Sequence, residues 1–318
     1  MILPVLVTVA AVLCSGLLGF AQESKQKAAA GAKPAAKTKA EYIGSETCQG
    51  CHEDVGKAFR NNPHQLLEKD KQRGWEAKAC ESCHGPGSIH AESTSADDIR
   101  NPSKLAPAEV DRNCLSCHRG NPTHAGRIMG GHARNEVGCT GCHTIHGKDQ
   151  SHLYPYKASE VNKKCESCHI SIWTSFQRPY HHKLPEGAMS CVDCHNPHGS
   201  FRPGNMQTVS GNEPGCLKCH GDKRGPFAFE HAPMRLEGCT ACHQPHGSAN
   251  PHMLTRQEVR FVCLECHSNL GSITAKNPAG TMGGPATAFH DLRSPRYRNC
   301  TTCHVKVHGS HVNRAFLR

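Results

Sequence analysis

The sequence predicts a fold of mostly short α-helices and irregular loops, with little or no β-sheet. Aromatic residues make up 5% of the 318 residues, and the hydrophobic fraction of 36% includes 21 cysteines. Thirty glycines and twenty prolines interrupt long regular elements. Since few apolar side chains remain for a protein core, we expect something other than polypeptide to fill the interior.

Twenty of the cysteines lie in a five-residue pattern, Cys-x-x-Cys-His, which occurs ten times. Two thiols at this spacing can each add to one vinyl group of a porphyrin, and the adjacent imidazole can then bind the iron. Zinc sites, redox dithiols and disulfide frameworks also use paired cysteines, but none requires a histidine after every second cysteine. The pentads therefore predict ten haem c groups in a multihaem cytochrome c, an elongated chain wrapped around its haems.

The predicted ligands follow directly from the pentads. The thioether ligands are Cys48, Cys51, Cys80, Cys83, Cys114, Cys117, Cys139, Cys142, Cys165, Cys168, Cys191, Cys194, Cys216, Cys219, Cys239, Cys242, Cys263, Cys266, Cys300 and Cys303. The proximal iron ligands are His52, His84, His118, His143, His169, His195, His220, His243, His267 and His304. Because folding is then coupled to haem attachment, we expect the apoprotein to be largely unstructured.

The formal charge of +10 suggests a nucleic-acid partner at first sight. Ten haems bring twenty propionates, about −20 if ionised, and each ferric core adds about +1, so the oxidised protein is close to neutral. No basic stripe is interleaved with aromatic residues that could stack on bases. We therefore expect no nucleic-acid partner.

The N-terminal residues 1–21 are mostly apolar and end in Gly19 and Ala21, the small residues of a signal-peptide cleavage site. A retained anchor and a lipoprotein attached through Cys14 are alternatives. All three would export the chain to the side where c-type haem is attached. Residues 22–42 are rich in alanine and lysine and predict a flexible linker.

From residue 43 to 318 the pentads recur in pairs. Helix-compatible segments precede the first, third, fifth and ninth pentads, a turn precedes the seventh, and extended or glycine-containing runs precede most even-numbered ones. Odd-numbered pentads recur at intervals of roughly fifty residues. We predict five two-haem modules, at about 43–106, 107–157, 158–208, 209–255 and 256–318. The gaps 85–113 and 268–299 are predicted loops.

Fifteen of the 25 histidines lie outside the ten pentads. Each even-numbered pentad has one of them upstream of its first cysteine and another shortly after its own histidine. The ten predicted distal iron ligands are His64, His90, His132, His146, His182, His198, His231, His246, His290 and His308. His311 is the alternative to His290, and His124, His152, His181 and His252 are left over. The sequence leaves open which iron each distal histidine binds.

An iron with two axial histidines has no open position for a substrate, and its reduction potential is low. The pattern therefore favours an electron carrier over an enzyme. None of the pentads replaces its histidine with lysine, the variant found in one class of nitrite-reducing haem enzyme. A multihaem reductase with one open iron is the catalytic alternative.

Several longer phrases resemble the MtrA/DmsE family of decahaem cytochromes. They are Cys191–Ser200 (CVDCHNPHGS), Cys216–Pro226 (CLKCHGDKRGP), Cys239–Ser248 (CTACHQPHGS), Glu230–Pro233 (EHAP), Cys80–Pro86 (CESCHGP) and Val307–Ser310 (VHGS). The resemblance covers roughly residues 45–312 and implies two histidines on every iron. It also implies a staggered haem chain inside an outer-membrane β-barrel partner.

The same resemblance implies extracellular electron transfer between two kinds of partner. These are a periplasmic or inner-membrane cytochrome on one side and a cell-surface multihaem cytochrome or reductase on the other. The chain's mean hydropathy of −0.57 agrees with a sheathed position, because so polar a chain needs a closed barrel around it to cross a bilayer. We expect a periplasmic, outer-membrane-associated protein. A freely diffusing periplasmic shuttle is the alternative.

Overall fold

A computed structural model describes residues 39–146, 157–210, 213–267, 295 and 298–318. The predicted signal peptide and most of the predicted linker lie outside the described residues, as do His152 and His290. The α-helices are α1 (Ser45–Cys51), α2 (Glu53–Phe59), α3 (Ala79–His84), α4 (Ser88–Ser93), α5 (Pro107–His118), α6 (Gly131–Arg134), α7 (Ala158–Glu166), α8 (Ile170–Ser175), α9 (Pro233–Leu236) and α10 (Val259–Leu264).

Shorter 3₁₀ helices connect these elements. They span Pro63–Lys69, Ala96–Asp98, Pro102–Lys104, Pro122–His124, Cys139–Gly141, Cys191–Asp193, Pro203–Asn205, Gly215–Lys218, Gly221–Lys223, Cys239–Ala241, Pro251–Met253 and Cys300–Thr302. Two strands, β1 (Phe229–Glu230) and β2 (Gly309–Ser310), pair antiparallel with Phe229 opposite Ser310. The predicted fold class, short helices and loops with little sheet, is confirmed.

Odd-numbered and even-numbered pentads adopt different local structures. The first, third, fifth and ninth pentads begin within α1, α5, α7 and α10, whereas the seventh lies in a 3₁₀ helix that follows Pro214. Even-numbered pentads form single 3₁₀ turns, except the second, which lies in α3. A glycine directly before the fourth and eighth pentads favours the short turn there.

The prediction of a loop over residues 85–113 is wrong. Helix α4 lies within this gap, and α5 begins at Pro107. Proline is tolerated in the first helical turn because its missing N–H has no partner there. The helix-compatible segment before the third pentad is thus part of α5, whereas the composition of the gap gave no sign of α4. The other predicted loop, 268–299, lies almost entirely outside the described residues.

The helices that carry the odd-numbered pentads position the even-numbered pentads. Helix α1 packs on α3, α5 on Cys139–Gly141, α7 on Cys191–Asp193 and α10 on Cys300–Thr302. Two consecutive pentads are thereby held side by side.

Few apolar side chains are buried by protein alone. Among the described residues, the buried hydrophobic side chains are Ala79, Val110, Phe176 and Leu184. None of the described helices has the length and apolarity needed to cross a membrane. The pentad cysteines, by contrast, are partly or fully exposed, as expected of side chains that a porphyrin would cover.

Candidate haem sites

Nine of the ten pentad histidines face a second histidine at a nearly constant distance. The ring centroids lie 5.7–6.3 Å apart. The pairs are His52–His90, His84–His146, His118–His64, His143–His198, His169–His132, His195–His246, His220–His182, His243–His308 and His267–His231. All nine second members are predicted distal ligands.

This separation fits an iron bound between the two rings. A metal–nitrogen bond of about 2 Å and about 1 Å from nitrogen to ring centre place two opposed imidazole centres about 6 Å apart. Two imidazoles in direct stacking contact would lie closer. The twenty described cysteines are free thiols, as attachment to porphyrin requires. No group of three or more metal-binding side chains occurs in the described ranges, so the cysteines form no cluster of the kind zinc needs.

Hydrogen bonds set the tautomer of many of these rings. The Nδ1 atoms of His84, His195 and His243 lie 2.7–2.9 Å from backbone carbonyl oxygens, of Arg100, Gly204 and His252 respectively. A carbonyl can only accept, so Nδ1 carries the hydrogen and Nε2 keeps its lone pair for a metal. Such outer partners orient the ring and raise its basicity as a ligand.

Burial disfavours the protonated form of several paired histidines, and the neutral form is the one that binds iron. Burial lowers the pKa of both members of the pair His84–His146. For His198, burial and the neighbouring His124 lower the pKa to about 4. The pKa values of His64, His231, His246 and His308 are lowered by the same main cause.

The pairs connect different predicted modules. The histidine upstream of an even-numbered pentad faces the odd-numbered pentad of the next module, as His64 faces His118. The histidine after an even-numbered pentad faces the even-numbered pentad of the preceding module, as His146 faces His84. All pairs follow this rule except His52–His90, which lies within the first module. Neighbouring modules therefore exchange one histidine in each direction.

Three of the four surplus histidines lie in the described residues, and one of them, His124, lies with its ring 6.2 Å from that of His118 and hydrogen-bonds the His118 carbonyl through Nδ1. Both ring nitrogens of His181 are engaged, by the Arg178 carbonyl at 2.5 Å and the Glu186 carboxylate at 3.2 Å. His252 offers its backbone carbonyl to His243, and His124 lies with its ring 4.3 Å from that of His198.

The tenth distal ligand stays a prediction, because His290 lies outside the described residues. Its alternative, His311, packs against the ring of Phe227 at 5.2 Å.

The cysteines follow one another in space in their order along the sequence. In each predicted module the first cysteines of the two pentads lie close enough to shift each other's pKa, as Cys48 and Cys80 do. The other such pairs are Cys114–Cys139, Cys165–Cys191, Cys216–Cys239 and Cys263–Cys300. Second cysteines lie near the next module in the same way, Cys83 near Cys114, Cys194 near Cys216 and Cys242 near Cys266.

Sequence reasoning missed a set of polar residues three positions before the first, third and fifth pentads. Ser45, Asp111 and Asn162 are at most 7% exposed. Their side-chain oxygens accept hydrogen bonds from the backbone N–H of Cys80, Cys139 and Cys191, at 3.4, 2.9 and 3.0 Å. Each residue thus holds the start of the second pentad of its module. The fixed offset is the signal that would have revealed them.

Asn162 provides a test of this role. Its amide also donates to the carbonyls of Leu184 and Met189. We expect Asn162→Ala to lower the free energy of unfolding by about 1–3 kcal/mol, since three buried groups lose their partner. Asn135→Ala, at an exposed helix end, should change it by less than about 0.5 kcal/mol. Equal denaturant midpoints for the two variants would contradict the role of Asn162.

Each pentad places a histidine after two paired cysteines, and nine of the ten pentad histidines face a second histidine across the width of an iron. This arrangement defines a multihaem c-type cytochrome, an electron carrier rather than an enzyme. A family model described as the doubled CXXCH motif matches residues 132–172, 181–225 and 231–272. The chain is 33% identical over 272 residues to the multiheme cytochrome MtrA of Shewanella baltica, covering 84% of this chain and 78% of that protein. The chain therefore belongs to the MtrA family.

Two further relatives are similar over shorter stretches. The cytochrome c-type protein NrfB of Escherichia coli is 28% identical over 163 residues, 49% of this chain and 71% of NrfB. The high-molecular-weight cytochrome c of Nitratidesulfovibrio vulgaris is 22% identical over 164 residues, 47% of this chain and 25% of that protein. Both comparisons agree with a multihaem cytochrome c.

Proposed function

We propose that this chain carries ten haem c groups, each with two axial histidines, and conducts electrons across an outer membrane inside a β-barrel partner. One end would exchange electrons with a periplasmic or inner-membrane cytochrome. The other would exchange them with a cell-surface multihaem cytochrome or reductase. The observation that carries the proposal is the set of nine histidine pairs at iron-spanning distance.

Haem c, when bound, supplies irons that alternate between the ferric and ferrous states. The cysteines of this chain would hold the groups covalently, and the paired histidines would bind each iron and leave no position for a substrate. Nδ1 hydrogen bonds, such as that of His195 to the Gly204 carbonyl, keep the rings oriented. The nearness of successive cysteines supports a single row of haem sites that runs in sequence order through five two-haem modules.

The location belongs to the proposal as well. Membership of the MtrA family indicates an extracytoplasmic cytochrome. The chain's mean hydropathy of −0.57 makes it polar overall. A polar chain at membrane depth must be shielded from lipid, and a closed barrel is the structure that provides this. The ten porphyrins would have to reach across the roughly 40–45 Å of a bilayer with its head groups.

Two measurements on the exported protein test the proposal. Mass analysis of the intact chain should give the polypeptide plus ten haems, and the ferric spectrum should be low-spin throughout. Detergent extracts of outer membranes should show haem and a barrel protein migrating as one complex. Haem found only in the soluble periplasmic fraction would support the shuttle instead, and markedly fewer than ten haems would contradict the ligand assignment.

A further inference from the structure

The two histidines exchanged at a module junction are linked through the backbone. His132 donates from Nδ1 to the carbonyl of Pro197, at 2.8 Å, and Pro197 directly precedes His198. His182 donates to the carbonyl of Pro245 at 2.8 Å, next to His246. At these two junctions the forward histidine is hydrogen-bonded to the segment that carries the backward one.

At the first junction, between the first and second predicted modules, a side chain links the two exchanged histidines. The Oδ1 atom of Asn62 accepts from Nδ1 of His64 at 2.9 Å, and its Nδ2 donates to the carbonyl of Ile145 at 2.9 Å. Ile145 directly precedes His146, so it corresponds to Pro197 at the second junction. Asn62 is 5% exposed and is therefore a buried link between two exchanged ligands.

A glycine docks the backward histidine onto the preceding module. Gly247 follows His246 and has φ +135°, and a Cβ there would overlap the carbonyl oxygen of Ser175. Arg178 donates to the Gly247 carbonyl at 3.1 Å, and Ser248 exchanges backbone hydrogen bonds with Tyr180. Gly199 meets the backbone of Gly126 and Gly309 meets the Phe227 ring in the same way.

We propose that each junction is a single ligand-positioning unit, in which the segment that brings the distal histidine of one haem also fixes the distal histidine of the next. This rests on the proposed ligation by two histidines. At the third junction the unit consists of Pro245, His246 and Gly247. It serves the iron of the sixth pentad through His246 and that of the seventh through His182. Pro245 and Gly247 are thus positioning residues.

The proposal predicts that a substitution which prevents the segment from docking opens more irons than a substitution which removes one distal histidine. Gly247→Ala should displace the whole segment from Ser175. The iron of the sixth pentad would then lose His246, and His182 would lose its hydrogen bond to the Pro245 carbonyl, which opens the iron of the seventh pentad. His246→Ala should open only the iron of the sixth pentad. The holoprotein is measured by electron paramagnetic resonance, where each open ferric iron gives a high-spin signal. We expect two such irons in Gly247→Ala, one in His246→Ala, and none in Gly120→Ala, a glycine with open space around it.

Asn62 provides a second measurement if Gly247→Ala does not accumulate. Asn62→Leu removes both links while His64 and His146 remain, so the irons of the second and third pentads should both change. A substitution of a residue that holds a metal ligand weakens metal binding about 10–100-fold. A tenfold weakening of the ferric state relative to the ferrous state raises a one-electron reduction potential by about 59 mV. Asn61→Leu, at the exposed neighbour, should leave the potentials unchanged, and His64→Ala should affect the third pentad alone.

The outcomes separate this proposal from the one it rests on. High-spin iron in the unmodified protein would overturn ligation by two histidines. A low-spin wild type with only one open iron in Gly247→Ala would overturn the junction unit and leave the ligation intact. Asn62→Leu potentials equal to those of the wild type would overturn it too.

Discussion

Produced without haem attachment, the chain is expected to remain unfolded and to be digested rapidly by protease. Only four apolar side chains are buried in the described residues. Each contributes about 1.5–3 kcal/mol at most, whereas ordering the backbone costs about 1–2 kcal/mol per residue. Protein contacts alone cannot offset that loss over a chain of this length, so porphyrin surface must supply the remainder.

Circular dichroism and limited proteolysis of chains made with and without the haem-attachment machinery provide the measurement. The haem-loaded chain should show helical signal and a resistant core that begins near residue 40, and the haem-free chain neither. Cys114→Ala/Cys117→Ala is an intermediate case, which should expose the third pentad and its surroundings to cleavage. A compact, resistant chain without haem would contradict the prediction.

Arg127→Leu is expected to lower the free energy of unfolding by about 3–5 kcal/mol, because it leaves a buried carboxylate without its counter-charge. Arg127 and Asp111 form an ion pair at 2.7 Å, and their side chains are 6% and 9% exposed. Arg127 also donates to the carbonyl of Val137. Asp111 in turn accepts from the Cys139 N–H, which persists after the sulfur becomes a thioether. The loss should therefore extend to the fourth pentad.

Two comparisons make this prediction specific. Arg235 pairs with Glu230 on the surface, 67% and 31% exposed, so Arg235→Leu should cost no more than about 1 kcal/mol. Asp111→Asn/Arg127→Leu removes the buried charge and keeps an acceptor for Cys139, as Asn162 does for Cys191. Denaturant unfolding of the holoprotein should show the double variant recovering most of the loss. A double variant as unstable as Arg127→Leu would show that the charge is not the cause.

The sequence predicts much of the site because covalent haem attachment imposes a fixed local pattern. The pentads and the even-numbered placement of spare histidines identify the nine histidines that the structure places opposite pentad histidines. Which pentad each one faces could not be predicted, because eight of the nine come from a neighbouring predicted module. His146 faces His84 rather than His143, which is nearer in sequence.

Backbone and outer-shell features were harder to predict for a different reason. Ser45, Asp111 and Asn162 share a position but not a side chain, because each needs only an oxygen that can accept one N–H. Likewise, the acceptors at the junctions are mostly carbonyls, which every residue possesses. Asn62 is the exception, and nothing in its sequence context distinguishes it from a helix cap, a role it also fills.

The exchange of histidines sets a rule for changing the length of such a chain. Under the proposed ligation, every internal predicted module gives one imidazole forward and one backward and receives the same number, so deleting or duplicating such a module would leave no iron short of a ligand. Cutting away the last module would instead remove His308 and leave the iron of the eighth pentad with His243 alone. Chains of this design would therefore lengthen or shorten from the middle, while both end modules are required.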